Sequence, residues 1–476
     1  MTDVTVIGGG LAGMTAAWTL RSRGMRVRLL EATEELGGMA GARVVDGRLE
    51  DHGVHIFPAW YRNTLRLVDE LGIAGNLRET REFTQLLPSA DGTRVRPAGP
   101  SLADRLLLLY GVVDLLAQRF GHDDRSLHDF LGDRWYLTRA ATADIEHLFV
   151  ASSAAESTAV SAAGFRGSVA AFARHPGRVR MPRGDLHTWF IGPFRRRLEA
   201  AGVEIGTGTE LVDVTVTGDR LTGLTLRRTR GDGERVTVHE EVAGHVVLAV
   251  PHGRLAALGP AVTAALRPAD GVLGLTSRPL GALHLWLRRR LPGLPEEHMR
   301  LVGSPHALTL VDVGRAWDEG RSSVLNCVVG RVSRLAHLSD EKAVEVLVEE
   351  LRDYLPALTP EDIEHVCLQR HTTAPFYAPG PGHHRLRPHA GTALANLHIA
   401  GDFCAAPPGV AGMESAVRSG LAAAESVRRV LRPGGPPVPI RRIRTVAPTL
   451  ARVVRAVLTP VAAAARPTAR RAERAR

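Results

Sequence analysis

Three glycines near the start of the chain, Gly8, Gly10 and Gly13, stand in the spacing Gly-x-Gly-x-x-Gly, and Glu31 follows eighteen residues after the last of them. In that spacing Gly8 permits a tight turn, Gly10 lets backbone N–H groups approach a diphosphate, and Gly13 lets a helix pack close to a strand. Leu11 and Ala12 lie inside the turn, and the helix that follows offers N-terminal N–H groups and a partial positive charge that suit an anion. Glu31 is placed to accept hydrogen bonds from a ribose. A second pair, Gly37-Gly38, comes just beyond the acid, followed by Met39 and, as the nearest cation, Arg43. Further on are Gly53-Val54-His55-Ile56-Phe57 and, near the far end, Ala400-Gly401-Asp402 and the run from Gly412-Met413-Glu414 to Ser419-Gly420.

These residues need elements to position them. Residues 3–7 are a short β-branched run and read as a strand; residues 14–21 have helical composition and spacing; Gly24 ends the helix and residues 25–30 form a second strand. Strand, glycine turn, helix, strand and acid in register predict a dinucleotide site. Residues 397–402 read as a strand ending in Ala-Gly-Asp, and a helix opens near Met413, its N-terminus directed at whatever lies there.

The double glycine motif resembles that of FAD-dependent amine-oxidase-like flavoproteins, a group that includes carotenoid desaturases. The second pair favours FAD over NAD. In that family a basic residue directly follows the second pair; here Met39 holds the place and Arg43 is the candidate substitute. The stretch around Gly53, Val54, His55 and Phe57 looks like the Gly-x-His-x-Phe segment of plant-type phytoene and ζ-carotene desaturases. The resemblance implies that Gly53 lets the backbone approach the flavin ring and that His55 and Phe57 line that face. A buried structural histidine is the alternative for His55. The C-terminal run resembles the flavin motif of phytoene desaturases and of squalene-associated dehydroxylases. It implies that Asp402 holds a ribityl hydroxyl beside Gly401 and that Met413 opens a helix aimed at the flavin N1/O2 edge. Glu414 reads as a first-turn helix acid. Leu211, or Val212 if the register slips, is expected to cover the adenine.

The implied fold is α/β: a Rossmann-type FAD-binding domain, a parallel sheet in a three-layer ββα architecture, interleaved with an α+β substrate domain. The expected division is 1–75, 185–271 and 391–431 for the FAD domain, 76–184 and 272–390 for the substrate domain, and 432–476 for a basic tail. That length suits two domains. A helix is expected over 101–120 with an apolar centre at 104–116. In the tail, Leu450, Val453, Val454, Val457 and Leu458 share one helical face, and an Ala/Arg end is expected to be disordered.

Composition narrows the function. Apolar residues make up 44% and charged residues 23%, as in an ordinary globular protein. Three scattered cysteines without a C-x-x-C pair argue against a disulfide framework and a zinc site, and adjacent His383 and His384 diverge; no metal is expected. The net charge of +10 is concentrated after Pro436, where there are ten arginines and a single acid, Glu473. That tail has no Phe, Tyr or Trp, so nucleic-acid binding is not expected. No run of about 20 residues is free of charge, so a spanning helix is not expected. A cytoplasmic protein is expected, with peripheral contact at the inner face of the membrane through the tail and the 104–116 helix.

What the resemblance implies is desaturation of a long apolar isoprenoid, a carotenoid-like polyene, by hydride transfer to flavin N5, with a membrane quinone as electron acceptor. Alternatives are reductive dehydroxylation of hydroxysqualene, flavin-dependent polyene isomerisation and a non-catalytic flavin-binding subunit. Amine oxidation is disfavoured because that branch uses a lysine near flavin N5, and the chain's one lysine, Lys342, sits in a surface-like helix over 339–354.

Overall fold

The computed structural model describes residues 2–45, 47–80, 83–90, 93–94, 102–118, 123–153, 155–175, 179–229, 233–294, 298–316, 323–407 and 411–474. The chain divides into two units: Met1–Arg78, Arg180–Thr276 and His383–Ile443 form the first, and Glu79–Val179, Ser277–Gly382 and Arg444–Arg476 the second. The crossings thus fall near 78, 179, 276 and 382, where the sequence reading put them at 75, 184, 271 and 390.

The first unit is built on a five-stranded parallel sheet. Its strands are β1 (Val4–Ile7), β2 (Val27–Leu30), β3 (Glu204–Gly206), β4 (His245–Leu248) and β5 (Leu397–Ile399), in the spatial order β3-β2-β1-β4-β5. Every residue of β1, β4 and β5 is buried. A parallel sheet is covered on both faces, and so its strands read as unbroken apolar or β-branched runs, not as alternations. Helix α1 (Leu11–Arg21) joins β1 to β2. A three-stranded antiparallel sheet, Thr209–Thr217, Arg220–Thr229 and Arg235–Glu241, supplies the second β layer.

The second unit carries a six-stranded sheet with the spatial order Ile363–Tyr377, Ser277–Leu287, Val324–Val329, Leu308–Asp312, His298–Leu301, Phe83–Leu86. Alternate residues Leu283, Leu285 and Leu287 pack with Ala343, Leu347 and Leu351 of a helix spanning Asp340–Tyr354. Ser339 caps that helix, accepting the Lys342 N–H at 3.2 Å. Other helices of this unit include α2 (Leu102–Ala117), which replaces the expected 101–120; Ser101 and Phe120 lie outside the described residues.

Returning to the first unit, helix α3 (Gly412–Leu431) packs on α1. Gly420 makes the crossing close, since a Cβ there would stand 2.3 Å from the Ala12 carbonyl oxygen.

The tail overturns one expectation. Residues 432–443 dock on the first unit: Arg428 Nη1 donates to the carbonyls of Arg432 and Gly435, and the Val438 N–H donates to Glu425 at 2.9 Å. The Ala/Arg end is not disordered but forms helix α4 (Pro448–Arg474), packed on α2. Alanine has the highest helix propensity and Ala462 and Ala469 are small enough to let the two helices close together. One ion pair, Arg455 Nη1 to the buried Asp114 at 2.9 Å, fixes the register.

Candidate functional site

At the C-terminal edge of the parallel sheet the first glycine turn folds against the second. The Gly37 N–H donates to the Gly9 carbonyl at 2.9 Å, and Gly10 and Gly37 form a parallel bridge. Gly8 takes a left-handed φ of 105°, and a Cβ on Gly13 would sit 1.9 Å from the Gly8 carbonyl oxygen. No side chain but hydrogen meets either condition. Gly10 caps α1 without any side-chain hydrogen bond, and Leu11 and Ala12, which follow, are buried. A buried helix start without a capping side chain leaves N–H donors for an anion.

Glu31 ends β2. One carboxylate oxygen accepts the Gly9 N–H at 2.6 Å and the other accepts the Thr33 N–H and hydroxyl, each at 2.9 Å. Its backbone is tied to the second β layer, N–H to Gly206 at 2.8 Å and carbonyl from Thr209 at 2.7 Å. Leu211 is therefore close to Glu31 in the fold; it is buried, and a bulge between Leu211 and Asp213 leaves Val212 without a cross-strand partner.

Met39 lies in the short turn Gly38–Ala40, and its carbonyl accepts the His55 Nε2–H at 3.1 Å. Burial pulls the His55 imidazole down to about 4, so it is neutral at pH 7. Gly53 has a positive φ of 142° and is buried; Val54 is half-buried. Arg43 does not stand free for a diphosphate: its Nε pairs with the buried Glu50 at 2.7 Å, across the hairpin Ala42–Val45 and Arg48–Asp51. The hairpin turn residue Asp46 lies outside the described residues.

Phe57 requires correction. It was expected on an open flavin-facing surface, but its exposure is 0% and its ring meets Phe190 edge-on at 5.8 Å in the core of the first unit. Residues 52–56 are irregular, and the chain turns the Phe57 ring into that core.

At the other end of the motif set, Gly401 donates its N–H to Ser419 Oγ at 2.9 Å. Burial pushes the Asp402 carboxyl up to about 6, with Arg387 opposing. Helix α3 begins at Gly412 with no side-chain cap, and Met413 is buried in its first turn. Two features here escaped the sequence reading. The buried Arg387 guanidinium donates to the carbonyls of Asp402 (2.8 Å) and Phe403 (3.1 Å) and to Ser415 Oγ (3.1 Å). Nothing in the irregular segment around Arg387 marks it out. Glu414 is more than a first-turn acid. Its buried carboxylate accepts the N–H groups of Asn63 (3.1 Å) and Thr64 (2.9 Å), the Asn63 amide (2.7 Å) and the Thr64 hydroxyl (2.8 Å), and so caps the helix Arg62–Glu70. Asn63 and Thr64 stand in the first turn of that helix, where N–H groups lack intrahelical acceptors, and that was the available signal.

Asp51, close to Gly53, was also missed. Its burial, with Asp185 beside it, raises its carboxyl to about 8, so it is protonated at neutral pH.

The residues fit FAD on the structure's own terms: two glycine backbones in contact, an uncapped helix start at each end of the motif set, and a carboxylate at the end of β2. Gly8, Gly10, Leu11, Ala12, Gly13, Gly37 and Gly38 suit the diphosphate, Glu31 the adenosine ribose, and Asp402 and Met413 the flavin end.

Comparison with known proteins agrees. Residues 11–428 match the family described as "Flavin containing amine oxidoreductase". A putrescine oxidase of Kocuria rosea is 33% identical over 132 residues, 26% of this chain and 27% of that protein. A carotenoid 3,4-desaturase of Haloarcula japonica is 49% identical over 59 residues, 12% of this chain and 11% of that protein. These local matches therefore span about a quarter or less of the curated relatives. A solved oxidoreductase from Methanosarcina mazei superimposes with a TM-score of 0.67 over 89% of this chain and 99% of its own, at 18% identity, which speaks to the fold. The chain belongs to the flavin-containing amine oxidoreductase family and is an FAD-dependent oxidoreductase.

Proposed function

We propose that this flavoprotein desaturates a long apolar isoprenoid, with a membrane quinone as the final electron acceptor. The observation that carries the reading is His55. An amine substrate arrives as an ammonium ion with a pKa of about 10 and has to lose a proton before hydride can leave. The imidazole is held by the Met39 carbonyl and lowered to about 4, far too weak a base for that proton. Lys342, the chain's one lysine, is 62% exposed and pairs with Glu345 on the Asp340–Tyr354 helix. A hydrocarbon carries no such proton. FAD, when bound, supplies the hydride acceptor. The chain's part is then to orient an allylic C–H and keep bulk water from the reacting carbons, the second proton going to a weak base or to a water molecule. The local likeness to a carotenoid desaturase supports the reading.

The test is anaerobic. Oxidised protein is mixed with phytoene or with putrescine, and dithionite-reduced protein with hydroxysqualene, while the flavin absorbance is followed. Bleaching by phytoene is expected. Bleaching by putrescine alone would establish amine oxidation instead, and recolouring by hydroxysqualene alone would establish dehydroxylation.

A further inference from the structure

Helices α2 and α4 run antiparallel. Asp114 meets Arg455 at 2.9 Å, and four residues earlier on α2 the Tyr110 hydroxyl meets Thr459 Oγ1 at 3.1 Å, four residues later on α4. Ala103, Leu107 and Tyr110 pack with Leu458, Ala462 and Ala469.

In both helices a large exposed apolar residue immediately precedes a packed one. On α2 the pairs are Leu102 before Ala103, Leu106 before Leu107 and Leu109 before Tyr110; on α4 they are Leu450 before Ala451, Val457 before Leu458 and Val461 before Ala462. One residue is about 100° of helical turn. For two right-handed helices packed antiparallel, the same step in the same chain direction leads to the same side of the plane containing both axes. The two apolar stripes are therefore side by side on one surface. The residue following a packed one points the other way, and Gly111, after Tyr110, lies against Tyr136 of the same unit.

Leu102, Leu109 and Val457 are 76%, 55% and 69% exposed, and Val112, Val453 and Val454 extend the surface. A contiguous apolar face of this kind on a folded protein marks a contact surface. Among the described residues its exposed charges are of one sign. Arg105 and Arg471 are exposed on this side of the helices and Arg444 just before α4, whereas both acids of α2, Asp104 and Asp114, are buried.

We propose that the paired α2–α4 face seats on an anionic phospholipid surface, lying in its plane. The arginines meet the headgroups and the leucines and valines enter the acyl boundary. Pro448–Arg471 is long and apolar enough, by length and composition, to cross a bilayer. The fold assigns it to the surface, because one side of α4 is packed on α2 and Arg455 is bound to an Asp114 carboxylate that also accepts from Arg134 at 3.1 Å and Tyr136 at 2.8 Å. This inference does not depend on the identity of the substrate.

Vesicle flotation of the full-length holoprotein tests it, using phosphatidylcholine alone and phosphatidylcholine mixed with phosphatidylglycerol. Binding to the mixed vesicles is expected, falling at least about tenfold on the neutral ones and in Leu109→Glu/Val457→Glu. The milder Leu109→Ser/Val457→Ser covers misfolding of the charged variant, and unchanged flavin absorbance and melting temperature certify both. Wild type that floats no better than these variants, or equally with neutral and anionic lipid, overturns the proposal. So does a dimer in sedimentation that the same variants dissolve while vesicles capture nothing.

Discussion

The starts of helices α1 and α3 present the same thing, a buried helix N-terminus without a side-chain cap, yet they are built differently. Around α1 the support is backbone on backbone: Gly37 to Gly9, Gly8 to the Leu30 carbonyl, Ala249 to the Ile7 carbonyl. The Glu31 carboxylate joins in at the Gly9 N–H. Around α3 the support is side chain on backbone, supplied by Arg387, Ser415, Ser419 and, through the neighbouring helix, Glu414. Backbone-built sites tolerate no added atom but need no particular side chain. Side-chain-built sites tolerate neighbouring changes but fail when one donor is removed.

That contrast can be broken, and the largest effect is expected at α1. Gly13→Val puts a Cβ 1.9 Å from a backbone oxygen that cannot move without disturbing β1. Purified protein should lose nearly all its flavin absorbance; a yellow, stable Gly13→Val protein would mean the turn is not rigid. Next is Arg387→Met, which removes three charge-assisted hydrogen bonds, an effect of about 2–4 kcal/mol. Flavin retention should weaken at least about tenfold, and equilibrium dialysis against free FAD would measure it. Glu414→Gln keeps the shape but leaves donors of Asn63 and Thr64 facing an amide, costing about 1–3 kcal/mol in a denaturant melt. Its flavin affinity should change less than that of Arg387→Met; the reverse order would make Glu414 the main support of the flavin end.

A further effect is a pH dependence. Asp51 has its folded-state pKa raised from 3.8 to about 8, so the folded state holds a proton that the unfolded state releases. Its contribution to stability is fully present below about 4 and is lost as pH rises through about 8. Asp51→Asn should flatten the fall of melting temperature over that interval. An identical slope in wild type and variant would show that Asp51 does not carry it.

The extent to which the site was legible follows the same division. The glycine spacing and Glu31 were readable because a diphosphate turn is a local backbone problem, solved within about thirty residues of chain. Phe57 was misread because a motif names a residue but not which way the chain turns it. Arg43 was offered as a cation for phosphate, yet its partner Glu50 stands opposite it in a hairpin. Arg387 was invisible, since its three acceptors lie more than a dozen residues away in sequence and none belongs to a periodic pattern.

The tail shows both sides at once. Its composition announced arginines and one apolar helical face, and nothing more. That the Ala/Arg end is ordered depends on a buried carboxylate, Asp114, contributed from hundreds of residues earlier. What the sequence by itself determined is the glycine turn, the flanking strand and helix pattern and the helix starts, because glycine spacing and apolar periodicity are properties of neighbouring residues. What only the tertiary structure decided is which polar groups meet. A buried donor or acceptor must find a partner wherever the fold brings one, and that distance in sequence has no upper limit.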